Sequence, residues 1–163
     1  MPESSSRIIR YRPEIDGLRA VAVLAVILFH AGIDQLSGGF TGVDLFYVIS
    51  GFLITKIIVT ALDANRFSFL DFYSRRVKRL VPAAFLTILA TLAFGYFILT
   101  PDKYLELSQS AIFAIAFLAN VWFTLHSGYF DTAAEIAPLV HMWSLAVEEQ
   151  FYLVFPLFVF VVY

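Results

Sequence analysis

The sequence predicts an all-α, polytopic membrane helical bundle with about five transmembrane helices. Three observations point there. Of the 163 residues, 60% are apolar and 15% charged, against about 45–50% and about 25% in ordinary soluble domains. The 18 Phe, 8 Tyr and 2 Trp are more than a chain of this size buries without large exposed apolar patches. The charges also fall between long uncharged runs: ten of the 11 basic residues precede residue 80, and none follows Lys103. The same composition excludes a disordered chain. With no cysteine there is no disulfide framework and no zinc–thiolate centre; no metal site is expected. A net charge of −2 without a basic arm excludes a nucleic-acid partner.

The elements follow in order. Residues 1–16 form a polar tail carrying Arg7, Arg10 and Arg12, and a first span near 17–35 is uncharged from Ala20 to Ile33. A second, near 40–62, is interrupted only by Asp44 and Lys56. A third, 80–100, runs 21 residues without a charge, about the length that crosses ~30 Å of hydrocarbon as a helix. A fourth, near 107–126, is bounded by Asp102, Lys103 and Glu106 before it and by a stretch containing Gly128 after it. A fifth, near 148–163, stops at Tyr163 without a polar cap, so the five are expected to be part of a larger bundle. No internal repeat or low-complexity linker is visible.

Basic clusters at 7–19 and 66–79 flank the first two spans, and residues 31–43 have no Lys or Arg. The positive-inside rule therefore places the N-terminus and the 63–79 loop in the cytoplasm and the 31–43 turn outside. Parity then puts 127–147 inside, although it carries Asp131 and Glu135 and no basic residue; acidic residues weigh little in the rule. Residues 1–29 also have the outline of a signal peptide. Against cleavage, the run ends in a histidine and no small-x-small site follows.

Ionisable groups inside such spans are functional candidates. Arg19 and His30 are 11 residues apart, about 20° past three full helical turns and roughly 16 Å along the axis, so they share a face. The bland alternative is a histidine bonded to its own or a neighbouring helix. If the hairpin turn centres near Ser37, residues whose numbers sum to 74 lie at one depth, which pairs His30 with Asp44. A carboxylate beside the imidazole fixes its tautomer and raises its basicity, as a general base acting on a hydroxyl requires. The alternative leaves Asp44 in the water of the outer turn.

Arg75, Arg76, Lys78 and Arg79 precede the third span. Taken alone they read as a cytoplasmic anchor on lipid headgroups; the sharper reading is a polyphosphate site, with Arg75 and Arg79 one turn apart on one face. His141, Trp143, Ser144, Glu148 and Glu149 cluster ahead of the fifth span. Acids at a helix start are also explained by the dipole alone. The spacing of His141 and Ser144 proves no nucleophile–base pair, Asn120 reads as a helix-to-helix hydrogen bond, and His126 as interfacial.

Together these residues resemble a known family. Tyr11-Arg12-Pro13-Glu14-Ile15-Asp16-Gly17-Leu18-Arg19-Ala20 leading to His30 is similar to the opening of the acyltransferase 3 family, integral membrane O-acyltransferases, with its R-x10-H pattern at Arg19 and His30. Gly42-Val43-Asp44-Leu45-Phe46 with Ser50-Gly51-Phe52-Leu53-Ile54 resembles its second-helix signature. Arg75 to Arg79 carries its RRxxR motif, and His141 to Tyr152 resembles its WSL-EEQFY block, with Ala137 and Met142 off the usual pattern. Four motifs in order, over residue 11 to about 156, are specific where any one would be weak.

The resemblance implies that residues 1–163 are the N-terminal part of one membrane acyltransferase domain of roughly ten helices, inactive without its C-terminal half. It implies a multi-pass protein of a bacterial inner membrane that transfers an acyl group, commonly acetyl, to a hydroxyl of a carbohydrate or lipid-linked acceptor, as in polysaccharide O-acetylation. The donor is acyl-CoA (acetyl-CoA), a co-substrate rather than a bound cofactor. In that scheme Arg75, Arg76 and Arg79 hold the coenzyme phosphates and Arg19 stabilises charge along the path. His30, oriented by Asp44, takes the acceptor proton or briefly carries the acyl group; Glu148 and Glu149 are second-rank positioning candidates. The rival reading is a transport or structural membrane protein with an Arg19/His30/Asp44 relay, for which the RRxxR and WSL-EEQFY blocks have no need; an inactive remnant is a third.

Overall fold

The computed structural model describes residues 12–33, 38–126 and 137–163. The N-terminal tail to Tyr11, the expected turn centre at Ser37, and Gly128, Asp131 and Glu135 lie outside the described residues. Six α-helices and no strand occur among them: α1 (Pro13–His30), α2 (Gly42–Asp63), α3 (Phe69–Ile98), α4 (Pro101–Ile115), α5 (Ala119–His126) and α6 (Met142–Val162). They divide into two compact units, Met1–Phe67 with Phe158–Tyr163, and Ser68–Leu157. Among the described residues, three segments are long and apolar enough to cross a membrane: Gly39–Asp63, Phe69–Ile98 and Met142–Val162, with mean hydropathies of 2.1, 2.0 and 1.8. The chain is an integral membrane protein. Five such helices were expected; α1 differs because Glu14, Asp16 and Arg19 occupy its first two turns.

In the first unit, Pro13 opens α1 at a position where a missing N–H costs nothing. A short 3-10 turn, Gly39–Thr41, leads into α2 and folds the chain back along α1. Glycine makes this possible. A Cβ on Gly42 would lie 2.4 Å from the Ala22 carbonyl oxygen, and one on Gly39 2.4 Å from that of Ala25. Small residues let membrane helices approach this closely. Gly42→Ala is expected to destabilise the protein by about 1–3 kcal/mol, the usual range for overpacking. The denaturation midpoint in mild detergent checks this against Gly51→Ala, where a Cβ meets nothing within 4 Å.

These contacts also correct the register. Gly42 faces Ala22 and Gly39 faces Ala25, so the paired numbers sum to 64 rather than 74. The expectation assumed a symmetric turn about Ser37. The glycine seam and the 3-10 turn instead start α2 partway along α1.

The second unit opens on Ser68, whose hydroxyl oxygen accepts a bond from the Asp71 N–H (3.3 Å) and caps α3. The basic stretch 75–79 is thus helical, and α3 begins well before the expected span. Pro82 lies within α3 and removes the bond to the Lys78 carbonyl. α3 packs on α4 through Ala84, Ile88, Leu107, Ala111 and Ala114, with Leu139, Met142 and Ala146 completing the core.

The expected continuous span over 107–126 is two helices. α4 ends where the Phe117 N–H donates to the Ala114 carbonyl (3.1 Å) and the Leu118 N–H to that of Phe113 (2.8 Å). This is a Schellman termination, with Phe117 at φ 54° in the position glycine usually takes.

Candidate functional site

In the first unit, His30 closes α1 with its ring exposed. Its Nδ1 lies 2.8 Å from the Val26 carbonyl oxygen. A carbonyl only accepts, so Nδ1 carries the hydrogen, and in the neutral ring Nε2 keeps its lone pair. The tautomer expected to be set by a carboxylate is set by the helix's own backbone.

Asp44 does not meet His30: among the described residues no hydrogen bond or ion pair joins them. With α2 starting opposite Ala22, Asp44 is level with about Ala20, some 15 Å along the axis from His30. Exposed in the first turn of α2, it sits where the helix dipole favours a negative charge. The orienting role expected for it therefore passes to Val26. Arg19 stays on the His30 face of α1, its guanidinium carbon 4.9 Å from the centroid of the Phe46 ring on α2. Its Nε is buried without a hydrogen-bond partner among the described residues.

In the second unit, the four basic residues of α3 separate. Arg75, Lys78 and Arg79 are exposed, and Arg75 and Arg79 stand about 40° apart on one face. Arg76 turns inward. Its Nη2 donates to Glu149 Oε1 at 3.2 Å, with only 21% and 17% of the two side chains exposed. Its guanidinium carbon lies 3.4 Å from the centroid of the Tyr152 ring, cation–π contact distance. The Tyr152 hydroxyl donates to Glu148. One turn before Arg76, the Tyr73 hydroxyl donates to the Leu153 carbonyl (2.8 Å). Arg76, expected with Arg75 and Arg79 to hold phosphates, has protein groups as its partners here.

Glu148, Glu149 and Gln150 thus reach in three directions: along α6 to Tyr152, across to α3, and to the break between α4 and α5. At the break, Gln150 Nε2 donates to the Phe117 carbonyl (2.9 Å) and to Asn120 Oδ1 (2.9 Å), and Asn120 Nδ2 donates back to Gln150 Oε1 (3.1 Å). Asn120 makes the helix-to-helix bond expected of it. The Ser144 hydroxyl donates to the His141 backbone carbonyl (3.0 Å), a first-turn bond of α6. His126 stacks on Trp122 with ring centroids 3.6 Å apart.

Sequence reasoning missed Tyr73, Tyr152 and the bonding of Gln150. Tyr152 was within reach: four residues after Glu148 and three after Glu149, it shares their side of α6.

The chain matches the acyltransferase domain family over residues 12–163. It is 45% identical over 150 residues to the O-acetyltransferase OatA of Staphylococcus aureus (strain NCTC 8325 / PS 47), covering 91% of this chain and 24% of that protein. It is 42% identical over 154 residues to the peptidoglycan O-acetyltransferase OatA of Listeria monocytogenes serovar 1/2a (strain ATCC BAA-679 / EGD-e), covering 93% and 25%. The chain spans about a quarter of the length of these curated relatives. No solved structure matches it.

Proposed function

The chain belongs to the acyltransferase domain family, and on that premise we propose that it supplies the base and part of the donor site of a membrane O-acetyltransferase. The donor is acyl-CoA, acetyl-CoA in the first instance, and the acceptor is a hydroxyl of a cell-envelope carbohydrate. Peptidoglycan is favoured, because a relative bears that activity in its name. The N-terminus is cytoplasmic, the membrane is a bacterial inner membrane, and the rest of the domain is supplied by chain outside residues 1–163.

The observation that carries this reading is the His30 ring, exposed and held through Nδ1 so that Nε2 is the free basic atom. The acceptor hydroxyl gives its proton to Nε2 while its oxygen attacks the thioester carbonyl. The ester C–O bond forms, the C–S bond breaks, and the imidazolium returns the proton to the leaving thiolate. Arg19, on the same face, stabilises charge further along the path. Arg75 and Arg79 present two exposed guanidinium forks on one face for the coenzyme phosphates.

The test is incorporation of labelled acetyl from acetyl-CoA by membranes containing the full-length protein. Arg75→Ala with Arg79→Ala is expected to raise the acyl-CoA KM about tenfold or more, from two lost charge-assisted contacts, and to leave kcat little changed. An unchanged KM returns the cluster to headgroup anchoring. No incorporation by the unmodified protein overturns the acyl-transfer reading in favour of a non-enzymatic relay.

A further inference from the structure

The structure gives Arg76 surroundings unlike those of its basic neighbours. Arg75, Lys78 and Arg79 are exposed, whereas Arg76 is mostly covered, with Glu149 and Tyr152 of α6 against its guanidinium. The Tyr73–Leu153 bond joins the same two helices alongside. Tyr152 is 2% exposed and its hydroxyl is engaged by Glu148. A guanidinium flanked by an aromatic face and a carboxylate is fixed in position, and a half-buried ion pair of this kind specifies one register between its helices. Because α3 is one continuous helix, fixing Arg76 fixes where Arg75 and Arg79 point.

We propose that Arg76 is a positioning residue: paired with Glu149 and stacked on Tyr152, it sets the register of α3 on α6 and thereby aims Arg75 and Arg79 at the anionic group of the donor. This rests on the donor reading above and divides the basic motif into one inward arm and two outward ones. Glu149 and Tyr152 become parts of the donor site without touching the donor.

A charge swap in the full-length protein tests it, read by two quantities: the Kd for coenzyme A and the thermal midpoint in mild detergent. Arg76→Glu is expected to raise the Kd at least about tenfold and to lower the midpoint, by placing two carboxylates together. Adding Glu149→Arg is expected to recover both, the Kd to within about threefold of wild type. A midpoint that recovers while the Kd stays at the single-variant value overturns the proposal, because Arg76 then contacts the donor itself. Recovery of neither overturns it as well, because the pair then does not hold the helices. The milder Glu149→Gln, which keeps the shape, is expected to raise the Kd with Arg75 and Arg79 intact; an unchanged Kd in that folded variant counts against positioning. If the unmodified protein binds no coenzyme A, the donor reading fails, and midpoint recovery in the swap still decides whether the pair sets the register.

Discussion

Replacing His30 with alanine in the full-length protein is expected to lower kcat for acetyl transfer by about 10²- to 10⁴-fold, the span attributable to a positioned general base. Nδ1 is committed to the Val26 carbonyl at 2.8 Å, so Nε2 is the atom left to take a proton. His30→Gln can still donate a hydrogen bond but has no basic nitrogen, so it is expected to fall with alanine rather than to rescue. Asp44→Asn is the informative companion. With Asp44 some 15 Å along α1 from the ring, its loss is expected to cost less than about threefold, where a carboxylate orienting the base would cost orders of magnitude. Labelled acetyl incorporation at saturating donor, with expression matched, reads all three. Full activity in His30→Ala removes the base from the mechanism.

The second large effect is on stability. Glu149→Leu leaves the Arg76 charge, 21% exposed, without its carboxylate, and stranding one member of a part-buried pair is expected to cost about 1–3 kcal/mol, less than in a fully buried one. Replacing both members, Arg76→Met with Glu149→Leu, removes the stranded charge and is expected to return most of that loss. Denaturation of the single and double variants in mild detergent measures the difference. If the double variant is as unstable as Glu149→Leu, the loss comes from packing rather than from the stranded charge.

The fold class was legible in the sequence because it depends on sums, namely the apolar fraction and the placement of a few charges. The α2 membrane segment lies near where its apolar run puts it, whereas the α3 segment, Phe69–Ile98, also takes in the basic stretch ahead of the uncharged run. What escaped depends on contacts between residues far apart. The hairpin register required knowing that Gly39 and Gly42 press on carbonyls of α1, and a depth rule based on a symmetric turn has no place for that. The break at Phe117 carries no glycine or proline to mark it, and the side chain that holds it is 33 residues away. Among the arginines, periodicity placed Arg75 and Arg79 on one face, but which face turns inward is decided by what α6 presents. His30 was legible as a candidate because a histidine within an apolar helix is rare enough to need a reason.

The Gln150 clamp on the break between α4 and α5 also bears on the order of events at synthesis. A polypeptide entering the bilayer N-terminus first delivers Phe117 and Asn120 about thirty residues before Gln150. Until Gln150 arrives, the Phe117 carbonyl and the Asn120 amide lack the partner that satisfies them, and a buried polar group left without a partner costs about 1–3 kcal/mol. The break between α4 and α5 therefore gains its side-chain partner only once α6 has been made. Assembly of this unit thus acquires a direction in time, with the last helix closing the joint between the two before it.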